Sequence, residues 1–184
     1  MRPLIHLSIA AMAVATGAAL ADCPADANEP EPVALGIMRL QPGLDATGAT
    51  AWSRAIRREA NARQLDPLIV VALVMRESSF HPDVAEGRRR GRLGEVGALQ
   101  VMPGGYAMRF APPDCRDQTD ARCSIATGCA YLAHLRDHAC PGSTWRWVAA
   151  YRWRTCPSED AARRDRGALR LRELYERAGG RSWR

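Results

Sequence analysis

The spacing of apolar residues along this chain predicts helices, and almost no stretch alternates as a half-buried strand would. Between residues 50 and 64, Trp52, Ile56 and Ala60 recur at the spacing of one helical face. Further helices are predicted at 127–138, 144–153 and 158–178, the last beginning at Ser158 and ending before two glycines. The pattern therefore predicts an all-α fold.

One predicted helix is apolar on every side, because residues 68–75 contain no polar side chain. Such a helix is typical of the centre of a domain, and Asp66 and Pro67 before it suit its N-cap and first turn. Glu77 follows in the last turn, where the helix dipole and apolar surroundings both disfavour a charged carboxylate. A carboxyl group that keeps its proton near neutral pH can serve as a general acid. The alternative is a solvated side chain beside Arg76 with no role.

The composition of the chain indicates four consecutive regions. Residues 1–21 have a short polar start, a small and apolar middle and an Ala-Leu-Ala end, which is the pattern of a secretory signal peptide. Residues 22–48 are rich in Pro and Glu and are predicted to be an irregular arm or linker. One domain is predicted at 49–157, followed by a C-terminal helix and tail at 158–184. An exported, periplasmic protein is expected, with no stable membrane span after removal of the signal.

Within the predicted domain, residues 98–110 are expected to form a short helix that Pro103 and two glycines interrupt. An Arg-Gly loop precedes this helix at 87–97, and a loop containing proline, aspartate and cysteine follows it at 111–124. The chain has 26 basic residues, all of them Arg, against 20 acidic ones. This excess suits an anionic partner or a solvated surface, but the export signal and the absence of a binding motif argue against nucleic acid.

Cysteine is the other informative residue type, since the chain has six and all follow residue 21. An even number in an exported chain indicates disulfides. Cys115–Cys123 is the predicted local pair, because it closes a small polar loop, and the remaining pairings stay open. Zinc is the alternative, but His134 and His138 without a Cys-x-x-Cys motif make a weak site. No metal and no cofactor are predicted.

Four segments resemble, in their order along the chain, the soluble lytic transglycosylase (SLT) family with its goose-type-lysozyme-like catalytic domain. They are ALVMRESSFHP at 72–82, GEVGALQVMP at 94–103, GCAYLAHL at 128–135 and VAAYRW at 148–153. The resemblance implies a lysozyme-like helical domain, with a small hairpin or an irregular loop beside the cleft. It also implies peptidoglycan glycan strands as the substrate.

The resemblance implies a role for each matching position. Glu77 takes the place of the catalytic acid and base, and Ser78, Gln100, Met102 and Tyr151 take the places of substrate-binding residues. Each has a structural alternative: Gln100 as a hydrogen bonder within the loop, Met102 as core filler and Tyr151 as a core aromatic. This chain departs from the family pattern at three places. Glu86 stands where the family has a serine, Arg152 stands where it has an asparagine, and an insertion rich in arginine lies at 87–92.

The implied reaction cleaves the β-1,4 bond between N-acetylmuramic acid and N-acetylglucosamine and leaves a 1,6-anhydro sugar. A hydrolytic muramidase is an alternative, and it requires a second carboxylate; Asp83, Glu86 and Glu95 are the nearest in sequence. A non-catalytic peptidoglycan-binding protein is the other. Trp145, Trp147 and Trp153 are candidates for contacts with sugar faces or for core packing. The expected setting is wall turnover or service to a cell-envelope secretion or conjugation machine.

Overall fold

The computed structural model describes residues 31–153, 155–181 and 183. Over these residues the fold is helical, and the only β pairing in them is an isolated antiparallel bridge between Val96 and Val101. The α-helices are α1 Pro32–Leu40, α2 Ala46–Asn61, α3 Pro67–Glu77, α4 Pro82–Ala85, α5 Ala121–His134, α6 Thr144–Trp153, α7 Glu159–Arg164 and α8 Arg166–Ala178. A 3-10 turn at Tyr106–Phe110 and a π-helical turn at Leu135–Ala139 complete the helical segments. The predicted all-α class is confirmed.

Helix α3 is the centre of the molecule, and its packing explains why its sequence is apolar on all sides. The side chains from Val70 to Val74 are completely buried, and α1, α2 and α8 pack around them. Asp66 accepts a hydrogen bond from the Leu68 N–H at 2.9 Å, and Pro67 occupies the first turn. The predicted start of this helix is therefore confirmed.

The prediction of an irregular arm at 22–48 is wrong for its second half, because α1 lies there. Pro32 stands in the first turn of α1, where its missing N–H costs no hydrogen bond, and Pro42 follows the helix end at Gln41. The two prolines thus bound a helix rather than break one. Ile37 is fully buried against the central core. The predicted signal segment at 1–21 and Cys23 lie outside the described residues.

The C-terminal helix is also part of the core rather than an appendage. Leu171 and Leu174 of α8 are buried in the main hydrophobic cluster, and the Tyr175 hydroxyl donates to Asp66 Oδ2 at 2.7 Å at the start of α3. The single helix predicted at 158–178 is divided at Asp165. This residue caps α8 by accepting from the Ala168 N–H at 2.7 Å.

Two other predicted boundaries differ from the structure. Helix α5 begins at Ala121 rather than at 127, because Asp120 caps it by accepting from the Cys123 N–H at 3.1 Å. The interrupted helix predicted at 98–110 is instead a tight turn, closed by the bridge at Val96 and Val101, followed by the 3-10 turn. The small hairpin expected beside the cleft corresponds to this turn.

Two disulfides tie down the loops around α5 and α6. Cys115–Cys123 forms as predicted, and Cys140–Cys156, which the sequence left open, joins the two ends of the α6 region. Cys129 is a buried thiol in the main core. Across the described ranges, no group of three or more His, Cys, Asp or Glu side chains is placed to hold a metal ion. No helix in those ranges is long and apolar enough to cross a membrane.

Candidate active site

An open cavity of about 300 Å³ lies where the end of α3 meets α5, α6 and the turn after α4. Glu77, Gln100, Met102 and Tyr151 all line it. The structure therefore brings together four of the five side chains that the sequence singled out. They come from three segments that are far apart in the chain, so the cavity exists only because the helices pack as they do.

Glu77 is the last residue of α3, and a quarter of its side chain is exposed. Arg76 binds the same carboxylate oxygen twice, with Nε at 2.9 Å and Nη2 at 2.7 Å from Oε1. The guanidinium group holds the carboxylate in place through this charge-assisted pair. Arg76 is therefore a partner that sequence reasoning did not assign.

Tyr151 reaches the cavity from α6, and its hydroxyl donates to the Leu99 carbonyl at 3.0 Å. Burial raises the pKa of Tyr151 well above its ordinary value, and the negative charge of Glu77 adds to the effect. The phenol is therefore neutral at physiological pH. Because its proton is committed to Leu99, its oxygen is left to accept hydrogen bonds from a ligand.

Gln100 and Met102 lie in the segment 91–107, which we call the cleft segment. Gln100 adopts a left-handed backbone conformation with φ 48°, and its Nε2 donates to the Gly97 carbonyl at 3.0 Å. It thus bonds within the turn and also lines the cavity. Met102 is half-buried and also lines the cavity. Neither residue therefore serves core packing alone.

Ser78 behaves differently from the other predicted site residues. It is the C-cap residue of α3, it is buried, and its hydroxyl donates to the Val74 carbonyl at 3.1 Å. The hydroxyl is used to close the helix and does not line the cavity. The structure does not bring Ser78 into the group formed by Glu77, Gln100 and Tyr151.

Glu95 is a second carboxylate in the cavity wall, and no motif in the sequence distinguishes it from the neighbouring acidic residues. Its Oε2 accepts a hydrogen bond from the Leu93 N–H at 2.9 Å. Asp83 and Glu86, the other carboxylates near Glu77 in sequence, are exposed and both pair with Arg88. Only Glu95 of these three lines the cavity.

Two arginines also line the cavity: Arg92, from the predicted Arg-Gly loop, and Arg152, which stands where the family pattern has an asparagine. The tryptophans separate into two groups. Trp145 and Trp147 are buried and serve packing, whereas Trp153 is 59% exposed. Of the three, only Trp153 is available for contact with a sugar.

The helical fold, with a carboxylate at the end of a buried helix in an open cleft, is consistent with a lysozyme-like domain. The sequence model of the transglycosylase SLT domain matches residues 54–168. This match covers well over half of the 184 residues, so the chain belongs to the SLT transglycosylase family. The family implies a transglycosylase-type enzyme that acts on peptidoglycan. Comparison with curated proteins gave no match.

Proposed function

We propose that the protein is a peptidoglycan lytic transglycosylase in which Glu77 acts first as general acid and then as general base. The observation that carries the proposal is the position of Glu77 in the cavity wall, at the end of a buried helix and with a quarter of its side chain exposed. Gln100, Met102 and Tyr151 surround the same space and are able to hold the sugar.

One carboxyl group is sufficient for every proton transfer in this reaction. Protonated Glu77 donates its proton to the glycosidic oxygen, the bond to C1 of N-acetylmuramic acid breaks, and an oxocarbenium-like sugar forms. The ionised Glu77 then takes the proton of the C6 hydroxyl while that oxygen attacks C1. The product is 1,6-anhydro-N-acetylmuramic acid, no water is consumed, and Glu77 is protonated again for the next cycle.

Arg76 and Tyr151 support different stages of this cycle. Arg76 stabilises Glu77 when it is ionised, that is, after it has given up its proton and before it recovers it. Tyr151 offers a neutral hydroxyl oxygen close to Glu77, where it can accept from a substrate hydroxyl. Both groups are held by other parts of the protein: Arg76 Nη1 lies 3.4 Å from the Gly167 carbonyl, and Tyr151 bonds Leu99.

A hydrolytic muramidase is the second candidate, and Glu95 favours it because this carboxylate shares the cavity with Glu77. A hydrolase uses its second carboxylate to activate water or to attack the sugar. The products distinguish the two reactions, since hydrolysis leaves reducing ends and transglycosylation leaves anhydro ends.

The test is the Glu77→Gln variant, which keeps the shape of the side chain and removes its transferable proton. We expect a loss of cleavage of purified peptidoglycan by about 10²–10⁴-fold, with wild-type products that carry anhydro ends in mass spectrometry. Glu86→Gln is the matched control, because Glu86 is exposed and outside the cavity. Full activity of Glu77→Gln would refute the mechanism, reducing ends would favour the hydrolase, and binding without soluble products would favour the non-catalytic alternative.

We also propose that the protein is exported and works on the wall in the periplasm. The two disulfides support an oxidising compartment. Either general wall turnover or local opening of the wall for a secretion or conjugation machine fits this location. Cell fractionation tests the location, and recovery of the protein in the cytoplasmic fraction with reduced cysteines would contradict it.

A further inference from the structure

We propose a second binding site beside the catalytic cavity, for a stretch of glycan strand that still carries its stem peptides. The site is a groove of about 550 Å³ between the end of α6 and the junction of α7 with α8. Its lining includes Trp153, Asp165 and three arginines, Arg152, Arg164 and Arg166. The proposal rests on the proposed function and names the form of substrate that the enzyme prefers.

Trp153 is the first argument, because it is a large aromatic side chain that remains 59% exposed. Its Nε1 donates to Asp165 Oδ2 at 3.0 Å, while Asp165 Oδ1 caps α8. The indole is thus held in place by a residue that is itself fixed, rather than left to rotate. A fixed and exposed aromatic face is suited to stacking against the apolar face of a sugar ring.

The arginines are the second argument. Among the described residues, Arg152, Arg164 and Arg166 have no ion pair and no side-chain hydrogen bond, whereas Arg163, beside them, pairs with Glu159 at 2.9 Å. Asp165 is the single carboxylate among these lining residues, so it offsets only one of the three positive charges. The groove therefore carries an excess of positive charge that suits carboxylates.

The position of Arg152 is the third argument, because it lines both the cavity and the groove. Because Arg152 borders both spaces, a strand that leaves the cavity can pass over Arg152 into the groove. A neutral glycan would not need three unpaired arginines, and an anionic polymer without sugars would not need the indole. A peptidoglycan strand offers both sugar faces and the carboxylates of its stem peptides.

The test compares three substrates: a tetrasaccharide, long strands stripped of peptides by an amidase, and long strands with their peptides. In the full chain, Trp153→Ala should lower kcat/KM on both long substrates by about tenfold and leave the tetrasaccharide unchanged. Leu169→Ala is the matched control, since Leu169 is an exposed apolar residue of α8 outside the groove, and it should change nothing.

The charge is tested by the double variant Arg164→Gln with Arg166→Gln. It should lower kcat/KM by about tenfold only on peptide-bearing strands, and added salt should reduce the difference from the wild type. Arg177→Gln, a change of the same kind on the exposed end of α8 outside the groove, is the control.

The outcomes separate this proposal from the proposed function. Equal losses on all three substrates, or no loss on any, would overturn the groove while leaving catalysis by Glu77 intact. If the wild type cleaves none of the substrates, the proposed function fails. Binding at the groove is then tested by sedimentation of the Glu77→Gln protein with the same strands. Weaker binding after Trp153→Ala is added to Glu77→Gln supports the groove, and unchanged binding overturns it.

Discussion

Helix α3 and the cleft segment at 91–107 face the same cavity, yet they hold their side chains there by different means. Helix α3 is fixed by burial on every side, and Glu77 takes its position from the apolar residues that precede it. The cleft segment has only one β bridge, and it depends on left-handed backbone positions at Gly94, Gly97 and Gln100.

The two parts of the site are therefore positioned by different physical interactions. The position of the acid depends on hydrophobic packing, which accepts many apolar side chains of similar volume. The position of the proposed substrate-binding residues depends on backbone conformations that accept few residue types. Substitutions in α3 should therefore act mainly on stability, whereas those in the cleft segment should act mainly on activity.

The largest expected effect is on stability, from Leu73→Ala in α3. Leu73 is completely buried, and the cavity left by its removal should lower the free energy of unfolding by about 2–5 kcal/mol. Leu93→Ala, the same change in the cleft segment, removes a side chain that is 64% exposed and should cost under about 0.5 kcal/mol. Urea unfolding measures both, and a similar cost for the two would contradict the comparison.

The next effect in size comes from the backbone of the cleft segment. Gly97 has φ +80°, and a Cβ there would lie 2.1 Å from the Gln118 carbonyl oxygen. We expect Gly97→Ala to lower the free energy of unfolding by about 1–3 kcal/mol and to displace Gln100. Activity of the folded protein should fall with it, which peptidoglycan cleavage measured well below the unfolding temperature will show.

Gly94→Ala is the matched control for this change. Gly94 has φ +95°, but nothing lies within 4 Å of its ideal Cβ position. The control therefore carries the conformational cost of about 1 kcal/mol without the collision. Equal loss of activity in the two variants would show that backbone strain alone, rather than the contact with Gln118, sets the geometry of the turn.

The same difference decides what could be predicted from the sequence. Helix α3, with its cap at Asp66 and Glu77 in its last turn, was predictable because its signals are local: an unbroken apolar run after an Asp-Pro pair. Gln100 and Met102 were found through the resemblance of GEVGALQVMP to a family segment, since no period marks them. Their convergence on Glu77 depends on long-range packing, which periodicity does not encode.

The features that the sequence did not predict also depend on long-range packing or on side-chain conformation. Helix α1 was missed because proline carries opposite meanings inside a helix and at its ends, and only the packing of Ile37 shows which applies. Glu95 resembled Asp83 and Glu86 as one of three acidic residues, and the fold alone places it in the cavity. The pairing of Arg76 with Glu77 depends on side-chain rotamers, which adjacency in sequence does not fix.

A smaller effect should appear at alkaline pH, where the core and the cavity respond differently. Burial raises the pKa of the Cys129 thiol from 9.0 to about 12. Its contribution to stability is complete below pH 9, where both states are protonated, and is lost as the pH rises toward 12. At pH 10 the loss should be about 1.4 kcal/mol, while Tyr151, whose pKa is also raised, stays protonated in the folded enzyme.

Urea unfolding at pH 7 and pH 10 measures this loss, with Cys129→Ala as the comparison. The variant should be less stable than the wild type at pH 7, because it leaves a small void, but its stability should fall less between the two pH values. Full refolding at pH 7 after each experiment checks that the disulfides have not exchanged. Identical pH dependence in the two proteins would remove Cys129 as the cause.

The smallest effect on stability, and the sharpest separation of stability from activity, is expected from Gln100→Gly. Glycine relieves a left-handed conformation at φ 48°, a gain of about 1 kcal/mol that the lost hydrogen bond to Gly97 roughly offsets. Activity should nevertheless fall about tenfold, since the amide that Gln100 presents to the cavity, and that we propose binds the substrate, is removed. Gln64 is a matched control, being also left-handed at φ 54° but outside the cavity. Gln64→Gly should stabilise the protein and leave cleavage unchanged, so that a loss of activity in both variants would mean that relief of strain, and not loss of the Gln100 side chain, slows the enzyme.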